Sequence, residues 1–451
     1  MIFRTFTRDR EIGANSYLID FDHTRVVLDS GMHPKAEGLD AVPDWKSIEG
    51  QAVDAMLVSH AHLDHVGTLP VFQRHHPEAP VYLTEPCGML ADALLHNSVN
   101  VMSSKREEHG ISDYPLFTHK EQEDRFGKWN FASFNRPVHI GDNGVSAQFF
   151  DAGHNMGSAG IMIEDHDTRV FYTGDVNFED ATIQRGALFP EEQVDVLVME
   201  TTRGHHPRDP GYNRASETER LGQVIAETIA GGGSVLIPVF AIGKTQELLM
   251  MLHLLKTSGA IPKAPISIGG LSTKMTTIYD RFAHRIRRQH AGFELLKQMD
   301  LKVSARRKRA EIQYHPGAIY ALSSGMMTER TVSNEFAFKF LQNPKNSVCF
   351  VGYADPESPA YQIRNGQPGD MVQLNSERPQ VQLNSRVETF DFSGHADRES
   401  LCDYAKRLQP KKIILVHGDL AAQEWFRERL AREMPNTEVI GPQPGVAIPL
   451  R

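Results

Sequence analysis

Through its first 200 residues the chain alternates short apolar, β-branched stretches with turn-forming Gly, Asp, His and Asn. Residues 16–20, 25–28 and 55–59 read as strands, as does the opening MIFRTFTRDREIG. Residues 161–163 and 169–173 flank the polar turn 165–168 and predict a hairpin. The run 194–199 is apolar without alternation, the pattern of a strand buried on both faces. Residues 86–102 and 120–126 read as helices, so the mixture predicts sheets covered by helices. The loop GHHPRDPGYNR after Thr202–Arg203 marks a boundary through its Gly and Pro content. Beyond it the order is β-α: a buried strand at 234–240, then a helix at 243–256 with Leu248, Leu249, Leu252 and Leu255 at helical spacing. Further strands are predicted at 266–268, 318–322 and 347–351, an order that resembles a doubly wound α/β domain. Extended pieces at 371–374 and 381–383 share the tetrapeptide QLNS across a predicted hairpin. The chain then returns to helix (398–408), strand (412–416) and helix (421–432).

A length of 451 residues suggests more than one domain, and 40% hydrophobic with 23% charged residues is ordinary globular composition. No apolar run is long enough to span a membrane, and the N-terminal stretch has no signal core, so a cytoplasmic protein without membrane contact is expected. Cys87, Cys349 and Cys402 lie far apart with no CxxC, which excludes a disulfide scaffold and a thiolate zinc site. A net charge of −9 argues against bulk DNA binding and leaves local basic grooves open. The 21 histidines are the outlying figure.

They concentrate in Ser59-His60-Ala61-His62-Leu63-Asp64-His65, directly after a predicted strand. On an extended loop His60 and His62, two residues apart, point to the same side and can grip one ion. Asp64 and His65 open the next helix and face a second. Imidazole and carboxylate donors suit a borderline cation such as zinc. His154 in DAGHNMGS, Asp175 in TGD and His417 in VHGD sit at strand ends, and with the histidine loop they complete ligands for two zinc ions with an aspartate between them. Asp29, after the strand 26–28, would orient a ligand from behind. Such an ion pair activates water and clamps displacement at phosphorus. The leaving group still needs a proton, for which His395 in FSGHAD is the candidate general acid and Glu200 the carboxylate that holds it.

The set Asp29, His60-x-His62-x-Asp64-His65, His154 and Asp175 resembles the four signature motifs of the metallo-β-lactamase superfamily. Glu200, His395 and His417 resemble motifs A, B and C of its β-CASP branch of nucleic-acid nucleases, as do the stretches LIPVFAIGKTQE and SSGM. The resemblance implies an α/β fold: a metallo-β-lactamase αββα sandwich with an inserted β-CASP α/β domain. The sandwich would take residues 1–202 and 385–451, and the insertion 203–384. It also implies two Zn²⁺ ions, catalytic roles for His395, Glu200 and Asp64, and phosphodiester hydrolysis leaving a 5′-phosphate and a 3′-hydroxyl. A histidine at motif C is typical of RNA-processing members, so single-stranded RNA is the expected partner, cut as an endonuclease, a 5′-exonuclease or both. A DNA exonuclease or repair nuclease and a non-catalytic RNA-binding scaffold are the alternatives, and a homodimer is left open. Two departures touch substrate choice more than chemistry: Arg203 replaces the tyrosine usual at motif A, and Gly352-Tyr353-Ala354-Asp355-Pro356-Glu357-Ser358 replaces a stretch resembling GYQAEGT.

Other features lie outside these motifs. Ser323, Ser324 and Gly325 follow a strand, and their small side chains and N–H groups suit a phosphate. Residues 281–309 are the most basic part of an acidic chain and could meet a phosphate backbone. His205-His206 read as loop residues and His75-His76 as an exposed turn.

Overall fold

The apolar run at 194–199 becomes the strand Val196–Glu200, buried at every residue. Alternate side chains serve two layers. Val196 and Val198 enter a core shared with a second sheet, while Leu197 and Met199 pack with residues of the helices Arg398–Leu408 and Leu420–Glu433. A strand covered on both sides has no polar face to show, hence its missing alternation.

The computed structural model describes residues 1–303 and 312–451. Its chain contacts divide it into two units, Met1–Asp180 with Gly186–Arg208 and His395–Arg451, and Ala181–Arg185 with Asp209–Gly394. The first unit holds two seven-stranded sheets. One runs Ile448–Pro449, Ile2–Thr5, Tyr17–Asp20, Arg25–Leu28, Ala55–Leu57, Val81–Thr84 and Trp129–Ala132; the other runs Glu438–Ile440, Lys412–Val416, Val196–Glu200, Arg169–Tyr172, Ala159–Glu164, Val145–Asp151 and Pro137–Ile140. Phe3, Tyr17, Ile19, Val26 and Leu28 of the first sheet share a core with Phe149, Ile161, Val170, Val196 and Ile414 of the second. Helices cover the outer faces, giving the αββα sandwich. The hairpin lies at Ala159–Glu164 and Arg169–Tyr172 in antiparallel register. The helix expected at 86–102 runs further, Glu85–His109, from a Thr84 cap on the Cys87 N–H to Gly110 in the left-handed region.

The second unit is built on a six-stranded, all-parallel sheet ordered Leu301–Val303, Ile266–Gly269, Ile319–Leu322, Val235–Pro238, Ser347–Phe350 and Arg386–Thr389. The hairpin at 371–383 is short, Met371–Val372 against Val381–Gln382.

Two readings change. The sequence returns the chain to the sandwich at 385, yet Arg386–Thr389 pairs in parallel with Ser347–Phe350 of the second unit, and the first unit resumes at His395. A polar edge strand is recruited through its backbone, so its side chains carry little signal. His76 is buried, its ring 4.9 Å from that of Phe72, and only His75 is exposed. Among the described residues no helix is long and apolar enough to cross a membrane.

Candidate metal centre

Parallel pairing assembles the site. Val198 is in register with Tyr172, and Glu200 with Val416, so the strands ending at Tyr172, Glu200 and Val416 finish side by side. Asp175, Glu200 and His417 therefore emerge at one edge of the sheet. The histidine loop reaches that edge from the facing sheet, between Ala55–Leu57 and the short helix Leu63–Val66, with His62 extended at φ −81°, ψ 154°.

There the side chains fall into two groups joined by one carboxylate. His62 Nδ1 lies 3.2 Å from His60 Nε2 and 3.1 Å from His154 Nε2. Asp175 Oδ2 is 3.3 Å from His60 Nε2 and 3.6 Å from His154 Nε2. Its other oxygen, Oδ1, faces the second group, 3.4 Å from both His65 Nε2 and His417 Nδ1. Asp64 Oδ2 closes that group at 3.2 Å from His417 Nε2 and 3.9 Å from His65 Nε2. Within each group the ligand atoms lie within 4.8 Å of one another, so each could hold a metal ion. Asp175 Oδ1 is buried and accepts no hydrogen bond. Such an orphaned anionic oxygen, with nitrogen lone pairs converging beside it, fits a cation.

Asp29 secures this arrangement from behind. Fully buried, it accepts from the Ser59 N–H, the Ser59 hydroxyl and the Tyr172 hydroxyl, each at 2.7 Å, and from His65 Nδ1 at 2.8 Å. The last bond puts the proton of neutral His65 on Nδ1 and turns the Nε2 lone pair inward. With its hydroxyl proton spent on Asp29, Ser59 Oγ accepts from His60 Nδ1 at 3.0 Å, which fixes His60 likewise. Thr202 Oγ1 meets His417 Nδ1 at 2.8 Å. Asp29 and His417 hold φ of +58° and +50°, a backbone cost of roughly 1–3 kcal/mol each that the surrounding bonds offset. We expect Asp29→Asn to weaken metal affinity by roughly 10–100-fold, measured by competition with a chelating dye. An unchanged affinity would remove Asp29 from this role.

Electrostatics prepare the first group. Burial, then the neighbouring His60, pushes His62 down to about 3. Burial and His65 lower His60, and burial and His395 hold His154 well below the ordinary histidine range. All three shifts disfavour the charged form, and neutral imidazole is the form that binds metal. His65 goes the other way: burial would lower it, but Asp175, Asp64 and Asp29 together raise it well above normal.

Beside the first group, His395 Nδ1 lies 3.0 Å from Glu200 Oε2 and 3.2 Å from Oε1. Glu200 is fully buried and its Oε1 accepts the Val176 N–H at 2.7 Å, while the Ala396 N–H donates to Val176 O at 2.6 Å. One backbone residue thereby sets both partners. The ring of His395 is 4.7 Å from that of His154, and the His395 side chain keeps 22% of its exposure. Burial opposes its charge, yet Glu200 and then Asp175 leave it raised above the ordinary histidine value.

Sequence reasoning missed Ser59, Tyr172 and Thr202. Ser59 and Thr202 adjoin the motifs directly; Tyr172 is an inward residue of a core strand whose hydroxyl needs a partner. His205 is a loop residue, with Nδ1 3.2 Å from Asp419 Oδ1. Ser323, Ser324 and Gly325 lie in the second unit after the strand Ile319–Leu322, where the Ser324 carbonyl accepts from Ser333 Oγ at 2.7 Å. In the basic stretch, Arg288 is buried, and Arg306, Arg307, Lys308 and Arg309 lie outside the described residues.

Family models match nearly end to end: the metallo-beta-lactamase superfamily over 9–228, the Beta-Casp domain over 245–363, and a "Zn-dependent metallo-hydrolase RNA specificity domain" over 380–442. Among curated proteins, the chain is 28% identical to Endoribonuclease YSH1 of Saccharomyces cerevisiae over 91% of its own length and 53% of that protein's. It is 31% identical to Transcription termination factor FttA of Methanothermobacter thermautotrophicus, covering 91% of this chain and 66% of that one. An RNase J-like protein of Methanocaldococcus jannaschii matches at 27% identity, over 91% and 90% of the two chains. The chain thus spans about half the length of several curated relatives it matches. A crystal structure of a protein of unknown function from Enterococcus faecalis V583 shares the fold, with a TM-score of 0.59 at 14% identity and 99% coverage of both chains. With sandwich, inserted domain and histidine–aspartate centre in place, the chain belongs to the metallo-β-lactamase superfamily, in its β-CASP branch.

Proposed function

We propose that the protein is a zinc-dependent ribonuclease that hydrolyses single-stranded RNA to 5′-phosphate and 3′-hydroxyl ends, as an endonuclease, a 5′-exonuclease or both. The observation that carries this reading is the placement of Asp175, one oxygen toward each ligand group, with the His395–Glu200 pair alongside. His60, His62, His154 and Asp175 would hold one zinc ion; Asp64, His65, His417 and Asp175 the other. When bound, the two ions supply an activated water and charge stabilisation at phosphorus.

The protein's own groups complete the reaction. Glu200 holds the His395 Nδ1 proton, orients the ring and favours its protonated form. His395 then presents Nε2–H to the departing 3′-oxygen, so the leaving group departs as an alcohol. Asp64 belongs to the second ligand group and faces His417. Similarity to an endoribonuclease, to an RNase J-like protein and to an RNA specificity domain favours RNA over DNA.

Cleavage of end-labelled RNA and DNA of one sequence tests the substrate: RNA should be cut and DNA spared, and faster DNA cleavage would replace this reading with a DNA nuclease. Mononucleotides from the 5′ end would mark an exonuclease, internal fragments an endonuclease. A purified protein that holds no metal and cuts neither would be a binding scaffold.

Glu200→Gln carries a pH signature. The carboxylate raises the His395 pKa, so its removal should lower that pKa and let the acid deprotonate sooner. The alkaline limb of the kcat profile should move to lower pH. An unmoved limb would separate Glu200 from the acid.

A further inference from the structure

The stretch LIPVFAIGKTQE ends in Gln246 and Glu247, and neither takes part in the chemistry described above. Gln246 has a local task. Its Oε1 accepts the Gly243 N–H at 2.8 Å, and its Nε2 donates to Ala241 O at 3.0 Å and Thr276 Oγ1 at 2.9 Å, which fixes the start of the helix Lys244–Thr257. Glu247 reaches elsewhere. Its carboxylate accepts three successive backbone N–H groups, from Thr182 at 2.6 Å, Ile183 at 3.0 Å and Gln184 at 2.7 Å, with Arg214 Nη2 3.8 Å away. The Gln289 N–H closes on Ile183 O at 2.8 Å, and Ile183 itself is buried. Charge-assisted bonds from consecutive N–H groups to one anion hold irregular backbone firmly.

The segment so held is the tip of a closed loop. Residues 181–185 belong to the second unit, whereas the chain before and after them belongs to the first. The loop closes at a neck, where the Ala187 N–H donates to Asn177 O at 2.8 Å. Both sides of the neck also bond the segment that leads to His154: the Asn177 N–H meets Ala152 O at 2.9 Å, and the Leu188 N–H meets Asp151 O at 2.8 Å. Gly153 seals the junction. Its φ is +67°, and a Cβ there would fall 2.5 Å from Asn177 O and 2.6 Å from Ala187 N. The neck thus adjoins two pieces of the metal centre, with His154 following Gly153 and with Asp175 and Val176 just before Asn177. Compact loops whose ends are pinned together are frequently functional.

We propose that Glu247 is a positioning residue for the metal centre, acting through the loop 177–187. With its tip clamped, the loop holds its neck at one angle, and the neck keeps His154, Asp175 and Val176 in one arrangement. Val176 in turn sets Glu200 and His395. Freed at the tip, the neck retains its own bonds but loses that restraint. A displacement of about 1 Å at reacting groups can cost roughly 10²-fold in rate. The inference needs the metal centre, and its kinetic arm alone rests on the ribonuclease reading.

Two variants of the full chain test it. Glu247→Gln keeps the size of the side chain but sets an amide –NH2 against the N–H groups of the tip, and Glu247→Ala removes the carboxylate. Hydrogen–deuterium exchange comes first: the amides of 182–184 should exchange faster in both variants, while the strands Arg169–Tyr172 and Val196–Glu200 stay protected. The protein loaded with Co²⁺ is then read by its visible absorption, which follows ligand geometry and needs no substrate. Both variants should bind as much Co²⁺ as the parent, with altered band intensity. With RNA, kcat should fall by roughly 10- to 100-fold at unchanged KM. Unchanged exchange at 182–184 in Glu247→Ala would refute the clamp. Faster exchange there with either the parent's Co²⁺ spectrum or the parent's kcat would refute the coupling, and a loss confined to KM would place Glu247 in RNA binding instead. If both variants lose protection in the strands as well, Glu247 is a structural residue and the proposal falls. A parent that cuts no RNA would end the ribonuclease reading, and the exchange and Co²⁺ measurements would still decide this one.

Discussion

Asp175→Asn should empty the metal centre and bring RNA cleavage to background, a larger loss than any other single substitution discussed. Each Asp175 oxygen serves a different ligand group, so the amide removes one anion from both. It also places an N–H donor against nitrogen lone pairs that need a cation, so the defect is chemical as well as electrostatic. The size is preserved, and the strands that carry the site pair through backbone bonds that the change does not touch. Metal analysis of the purified variant is the first measurement. A second is thermal unfolding with and without chelator. Wild-type protein should lose stability on chelation, because metal bound only by the folded state stabilises it by several kcal/mol at saturating concentration, about 4 at a thousand times Kd. The variant should be indifferent. A fully metallated, active Asp175→Asn would dismantle the two-group description.

His395→Ala should behave differently: metal content unchanged, cleavage of RNA reduced by about 10²–10⁴-fold. His395 is paired with Glu200 beside the first ligand group, and with Glu200 and Asp175 it forms a third set of donor atoms close enough to hold an ion, so the variant's metal content and its activity must be measured together. A proton donor matters most when the leaving group is a poor one. With bis(p-nitrophenyl) phosphate, whose nitrophenolate leaves without a proton, the same variant should lose far less. Equal losses on both substrates would make His395 a structural or metal-holding residue instead. A loss of zinc in the variant would have the same meaning.

Legibility differed by kind of interaction. The candidate ligands were readable because metal chemistry restricts donor types and because the histidine loop packs four of them into six positions, His60 to His65. The more distant members, His154, Asp175 and His417, were readable as polar residues stranded at the ends of apolar strands. Ser59, Tyr172 and Thr202 were not, because a serine, tyrosine or threonine has many ordinary reasons to be where it is. Only the bonds to Asp29 and His417 single these three out. The strand Arg386–Thr389 escaped for a related reason: backbone pairing at a sheet edge leaves little trace in Arg-Val-Glu-Thr. His76 shows the limit of composition, since a histidine beside a proline turn is polar on paper and here packs on Phe72.

By itself, the order of amino acids pointed to a metal-dependent chemistry and to the stretches that must be strands buried on both faces. Those are local matters of donor type and of hydrophobic pattern, written where they act. Tertiary structure decided which oxygen of Asp175 faces which group, which nitrogen His60 and His65 turn inward, and that Val176 sets Glu200 and His395 together. Those are matters of register between strands far apart in the chain. A shift of one residue in the pairing of Glu200 with Val416 would turn either side chain to the opposite face, and no local sequence encodes that alignment.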